Sequence, residues 1–180
     1  GTLASLGEKA LEVQEKVNEK LGLQVPDIAW HVSRDRLAEI ITFLGMLGGT
    51  FGKISNEIIQ LQKTEIAEIA EPFEFGKIGS STMPQKRNPM ACEAVVGLCR
   101  LLRSQSVLGV EIMVQEHERD MGIWQAEWAF IPEMFLLSSA VLYHMNWILR
   151  DLYVSPKKMR ENLDKSNGLI MSEAVMMNLA

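Results

Sequence analysis

Residues 35–72 read DRLAEIITFLGMLGGTFGKISNEIIQLQKTEIAEIAEP, and the apolar positions Leu37, Ile41, Leu44, Leu47, Phe51, Ile54, Ile58 and Leu61 recur every three or four residues. That spacing is heptad-like and marks one face of a helix. The pattern runs to about Ala70, where Pro72 stops it. At 1.5 Å per residue the predicted helix is roughly 50 Å long. Such a helix outgrows a compact small domain and needs partner helices along its length.

The same periodicity extends in both directions. Upstream, Leu3, Leu6, Ala10, Val13, Val17 and Leu21 fall at helical spacing, Gly22 closes that helix, and LQVPDIAWHVSR forms a connector around Pro26. Downstream, a third helix is expected from Pro89, with Asn88 as its N-cap and proline in its first position. It carries Val95, Val96, Leu98, Leu101, Leu102, Val107, Leu108 and Ile112 toward about Gln115. The polar break QEHERDMG separates it from a fourth helix, expected from about Gln125 to Leu152. In SPKKM, Ser155 reads as a cap and Pro156 as the first turn of a short helix. No stretch alternates as a strand does, and no repeat is visible. The fold class is therefore all-α, a bundle of long helices. Because the third helix is apolar around much of its circumference, partner helices are expected from other subunits or from chain outside this sequence.

Composition limits the function. The 180 residues are 47% hydrophobic, enough to bury a core, and the net charge is -5. That balance argues against a nucleic-acid binder, whose footprint would be a basic face. Cys92 and Cys99 stand nearly two helical turns apart in one pattern, about 10 Å along the axis and too far for a disulfide. They read as reduced core thiols in a cytoplasmic protein. No unbroken apolar run of about 18 residues is present to span a bilayer, and no signal peptide is expected. The chain opens without Met and already in helical register, which reads as a piece of something longer.

One segment departs from the helical pattern. Residues 76–90, GKIGSSTMPQKRNPM, combine glycines, paired serines and a Lys-Arg-Asn cluster between prolines. Gly79 lets backbone approach a ligand closely, Lys86 offers a point charge for a carboxylate, and Asn88 can donate an amide hydrogen bond. The segment leads into the start of the third helix, where free N–H groups favour an anion. It reads as a site built for a carboxylate. The plainer alternative is a solvated interhelical turn.

GSSTMPQKRNPM resembles the signature of the fumarase/aspartase superfamily, G-S-x-x-M-P-x-K-x-N-P, with its fixed positions at Gly79, Ser80, Met83, Pro84, Lys86, Asn88 and Pro89. GTLASLG, SRDRLAE, KTEIAEI, QEHERD and NLDKSNGLIMSEAV are similar to consecutive parts of the branch holding adenylosuccinate lyases and 3-carboxy-cis,cis-muconate cycloisomerases. The resemblance covers essentially the whole chain. It implies that residues 1–153 are part of a central helical-bundle domain entered midway, and that 154–180 begin a small helical C-terminal domain. It also implies a homotetramer whose active sites each draw on three subunits, and cleavage or formation of C–N or C–O bonds beside a carboxylate. By this resemblance Ser80 is the base, while Lys86 and Asn88 bind substrate and stabilise the intermediate, with Ser81, Thr82 and Met83 beside them. The acid partner, a histidine in a Thr-His segment, would lie upstream of Gly1.

Within the branch, adenylosuccinate lyases hold a nucleotide phosphate with a Ser and an Arg after the H-E-R-D-like motif and an Arg after the signature. Trp124, Trp128 and Ala94 stand at those positions here. Indole rings cannot replace phosphate donors. The arrangement of Trp124, Ala126, Glu127 and Trp128 instead resembles the 3-carboxy-cis,cis-muconate cycloisomerases, with Trp124 and Trp128 setting specificity and Arg119 available for a substrate carboxylate. That resemblance implies lactone formation from a small polycarboxylate, without cofactor, metal, nucleic acid or membrane. An adenylosuccinate-lyase-like enzyme, or another C–N lyase on a substituted succinate, is the alternative, and a catalytically silent helical scaffold is a second. The isolated 180-residue piece is expected to be inactive. His31, His117 and His144 lack metal-ligand spacing and read as structural.

Overall fold

The computed structural model describes residues 3–27, 30–73, 82–83 and 85–179. After a 3-10 segment at Leu3–Lys9, α1 spans Ala10–Leu21 and ends as its sequence requires. Gly22 adopts a left-handed conformation at φ 66°, and the N–H groups of Gly22 and Leu23 close on the carbonyls of Glu19 and Asn18 at 3.1 and 2.9 Å. Glycine enters that region without a Cβ penalty.

Helix α2 spans Asp35–Leu61 and stops well short of the expected Ala70. Lys63, Thr64 and Glu65 are exposed, Ala67 turns left-handed at φ 53°, and the Glu68 N–H reaches back to the Leu61 carbonyl at 3.1 Å. The chain then enters a two-residue strand, β1 (Ile69–Ala70). Helix α3 spans Met90–Gln105, α4 Leu108–Glu111 and α5 Met121–Arg150. Strand β2 (Tyr153–Val154) pairs antiparallel with β1, Ile69 opposite Val154 and Ala70 opposite Tyr153. This small ladder corrects the expectation of no strands, since segments so short carry no readable alternation. Two further helices, α6 (Pro156–Asp164) and α7 (Ser172–Leu179), complete the described chain. Ser155 caps α6 as expected, its hydroxyl accepting from the Lys158 N–H at 3.3 Å.

Two other boundaries differ from expectation. The third helix divides: past Gln105, at the start of α4, the hydrogen bonds tighten to three-residue spacing, Gly109 N–H to the Ser106 carbonyl and Val110 N–H to the Val107 carbonyl. Helix α5 begins four residues early because Asp120 caps it, its carboxylate accepting from the N–H groups of Gly122 and Ile123 at 2.8 and 3.3 Å.

The core is a three-helix layer. Cys99 and Leu102 of α3, and Ser106 just past its end, lie against Gly52, Gly48 and Gly45 of α2 in reversed order, so these helices run antiparallel. A Cβ at Gly45 would stand 2.5 Å from the Ser106 Cβ, and one at Gly48 3.0 Å from the Leu102 Cβ. The glycines thus let two backbones approach more closely than ordinary side chains allow. Helix α5 runs parallel to α2: Glu127 meets Arg34 beside the start of α2, and Met145 receives the Ser55 hydroxyl near its end. Ile41, Cys92, Val95, Leu102, Met134 and Ile148 are buried between them, and both cysteines are free thiols.

Contrary to the reading from uninterrupted runs, α2 is long and apolar enough to cross a membrane by length and composition. Here it packs chiefly against α3, which lies between it and α5. The layer leaves apolar surface open, including Phe43 and Met46 on α2, Leu101 on α3, and Leu136 and Tyr143 on α5.

Candidate functional site

Gly79, Ser80, Ser81 and Pro84 lie outside the described residues. The rest of the signature sits at the C-terminal end of α2 and the start of α3. Met83, Lys86 and Asn88 line an open cavity of about 1080 Å³, together with Lys63, Glu65 and Tyr153. Lys86 is exposed and its N–H closes a turn on the Met83 carbonyl at 3.0 Å, while Asn88 is half-buried and Thr82 exposed. An ammonium group at this rim and an amide behind it can bind a carboxylate entering from solvent.

The start of α3 is not organised as the sequence predicted. Pro89, not Asn88, occupies the cap position, and no side chain of that residue caps the helix. The cap comes from Glu71, nearly buried, whose carboxylate oxygens accept from the N–H groups of Ala91 at 3.2 Å and Cys92 at 2.9 Å. The anion expected at this helix terminus is therefore supplied by the protein. Gln62, just past the end of α2, ties the surroundings together: its amide oxygen accepts from the Glu71 N–H at 2.9 Å, and its amide nitrogen donates to the Arg87 carbonyl at 3.2 Å. Arg87 lies over the Phe73 ring at 4.4 Å. Burial, together with the neighbouring Glu71 carboxylate, pushes the Cys92 thiol up to about 12, so it stays protonated and inert.

The second group of expected site residues lies at the opposite end of the layer. Arg34 and Glu127, both buried, form an ion pair at 2.6 Å, and Arg34 Nη1 also donates to the Trp30 carbonyl at 3.2 Å. This pair fastens the connector before α2 to the first turns of α5. On that face Trp124 and Trp128 meet edge to face with centroids 5.9 Å apart, and Arg119 lies 5.8 Å from the Trp124 ring. Arg119 and Trp128 are exposed and Trp124 is half-buried. His31 stacks on Trp30 at 4.3 Å, and burial, with the nearby Arg119 and Arg34 guanidiniums acting in the same direction, lowers its pKa. His144 packs edge to face on Tyr143, and His117 sits exposed in a turn. Ala94 is exposed on α3. Among the described residues no group of His, Cys, Asp and Glu is placed to hold a metal ion.

Helix α2 separates these two groups by its 27 residues, about 40 Å at 1.5 Å per residue. Within one chain Lys86 and Asn88 therefore do not meet Arg119, Trp124 and Trp128. Sequence reasoning missed Glu71, Gln62 and the Arg34–Glu127 pair, which join segments far apart in the chain. A weak signal was present for Glu127, a charged residue amid the apolar pattern of α5.

The class these features point to is a family of helical-bundle proteins carrying this signature. The family profile described as Lyase matches residues 1–103. The N-acetyl-S-(2-succino)cysteine lyase of Dickeya dadantii is 46% identical over 99% of this chain and 39% of its own length. The 3-carboxy-cis,cis-muconate cycloisomerase of Bradyrhizobium diazoefficiens is 42% identical over the whole chain and 40% of its own length. The crystal structure of the 3-carboxy-cis,cis-muconate lactonizing enzyme from Pseudomonas putida superposes with a TM-score of 0.85 at 38% identity, covering all of this chain and 39% of that one. The chain belongs to this lyase family, within the fumarase/aspartase superfamily. It spans about 40% of the length of these curated relatives.

Proposed function

We propose that the whole protein moves a proton at a carbon beside a carboxylate while making or breaking a bond between the adjacent carbon and a heteroatom, on a small polycarboxylate without phosphate. The observation that carries this reading is that Met83, Lys86 and Asn88 of the signature line one cavity. In the elimination direction, Ser80 takes the proton next to the carboxylate, the electron pair is held as an aci-carboxylate, and the heteroatom leaves the neighbouring carbon. Lys86 stabilises charge that develops on the carboxylate oxygens. In the lactonising direction, a carboxylate oxygen of the substrate bonds to one alkene carbon and the other takes up the proton.

For the substrate, 3-carboxy-cis,cis-muconate is the leading reading: Trp124, Trp128 and Ala94 present no phosphate donors, and Arg119 beside the indoles suits a planar conjugated carboxylate. The greater identity to an N-acetyl-S-(2-succino)cysteine lyase than to the cycloisomerase favours a second reading, thiol elimination from a substituted succinate. An ultraviolet assay of the whole protein with 3-carboxymuconate, N-acetyl-S-(2-succino)cysteine and adenylosuccinate separates them. Turnover of the first is expected, turnover of the second alone moves the assignment to the C–S lyase, and turnover of adenylosuccinate refutes the phosphate-free reading. Silence on all three leaves the scaffold.

The separation of the two residue groups and the open apolar faces support a homotetramer with sites assembled between subunits. Light scattering at micromolar concentration should return a tetramer. A clean monomer would contradict both the shared site and the expected covering of Phe43, Met46 and Leu136.

A further inference from the structure

We propose that Glu71 is a positioning residue for the signature segment: by occupying the start of α3 it fixes the backbone that presents Lys86 and Asn88, and it sends the substrate carboxylate to those side chains. The inference rests on the function proposed above. Its geometry is independent of it. Glu71 is nine-tenths buried, its two carboxylate oxygens divide between the Ala91 and Cys92 N–H groups, and its own N–H is held by Gln62. Gln62 in turn holds the Arg87 carbonyl, between Lys86 and Asn88. The result is a clasp joining the chain before the signature serines to the chain after them, closed on the end of α2.

A helix start binds one anion at its first N–H groups, and two carboxylates there would repel each other. With Glu71 in place, substrate has no access to that terminus, and its carboxylate must be met by Lys86 and Asn88. Removing Glu71 does two things. The N–H groups of Ala91 and Cys92 lose their acceptor, and a hole of carboxylate size opens beneath the segment.

The test uses the whole protein with Glu71→Ala and Glu71→Gln. Because a small displacement of a substrate-binding group costs on the order of a hundredfold, Glu71→Ala should lower kcat/KM by about that factor, with KM raised as well as kcat lowered. Added formate, a carboxylate small enough for the hole, should restore much of both, and neutral formamide should not. Glu71→Gln keeps the volume and one acceptor, and should fall between. A role confined to stability would lower the melting temperature while the folded fraction kept its kinetic constants. Kinetic constants within about twofold of the unmodified protein in folded Glu71→Ala would therefore overturn the proposal. Amide hydrogen exchange separates this outcome from failure of the proposed function. If the unmodified protein turns over none of the substrates, faster exchange at Lys86, Ala91 and Cys92 in Glu71→Ala, reversed by formate, still supports the clasp, and unchanged exchange overturns it.

Discussion

Glu127→Ala is expected to lower the unfolding free energy by about 3–5 kcal/mol, because it strands the buried Arg34 guanidinium. The pair has side-chain exposures of only 4% and 8%, so water cannot replace the lost carboxylate. The Arg34 bond to the Trp30 carbonyl remains, but it does not neutralise the charge. At the usual conversion for a chain of this size the melting temperature should drop by roughly 10 °C. Replacing both partners with apolar residues of similar size, Arg34→Met with Glu127→Leu, should recover most of that loss, since the desolvation cost disappears along with the attraction. Thermal and urea unfolding of the single and double variants measure the coupling. A single variant that melted within a degree or two of the unmodified protein would show that water reaches the pair. The same pair fixes the connector carrying Trp30 and His31 against the turns carrying Trp124 and Trp128, so the single variant should also disturb that end of the candidate site.

The second large effect is chemical. Ser80→Ala in the whole protein should lower turnover at least about a hundredfold, the scale of a lost general acid or base, while the far-ultraviolet spectrum and melting temperature stay unchanged. The fold should survive because α2, α3 and α5 make the core among the described residues. A serine hydroxyl is a weak base in water. Its use as a base demands a site in which N–H donors and Lys86 make an alkoxide less costly. Turnover within tenfold of the unmodified protein would remove Ser80 from the role of base and leave it as a binding group.

What the sequence made legible follows the range of the interaction involved. The stop at Gly22 and the cap at Ser155 depend on residues a few positions apart, and both were readable. So was the helical face running from Leu37 to Leu61. Beyond Leu61 apolar residues still recur at helical intervals, but pairing of Ile69 and Ala70 with residues more than eighty positions away takes the chain out of the helix. Asn88 looked like a cap because its own type favours one, whereas Glu71 reaches the same N–H groups from another segment. The glycines of α2 read as weak points in a helix and proved to be its contact surface with α3. In the candidate site, Lys86 and Asn88, expected from the signature, line one cavity. That Arg119, Trp124 and Trp128 lie a helix length away could not be read from local pattern, since it depends on the direction in which three helices run.

Helix α2 therefore acts as a ruler with coarse markings. One residue inserted between Gly52 and Ile58 would turn everything beyond it by about 100° and carry it about 1.5 Å along the axis. The glycines would still face α3, but Ile58 and Gln62 would swing away from the core and from the Arg87 carbonyl. Only a change of about a whole heptad returns the face to nearly its old direction, off by about 20°, and that shifts the two residue groups by about 10 Å relative to each other. Away from the glycines that meet α3, side chains along α2 can vary while its residue count cannot. Changes of length are absorbed outside it, in the connector before Asp35 or the turn after Leu61.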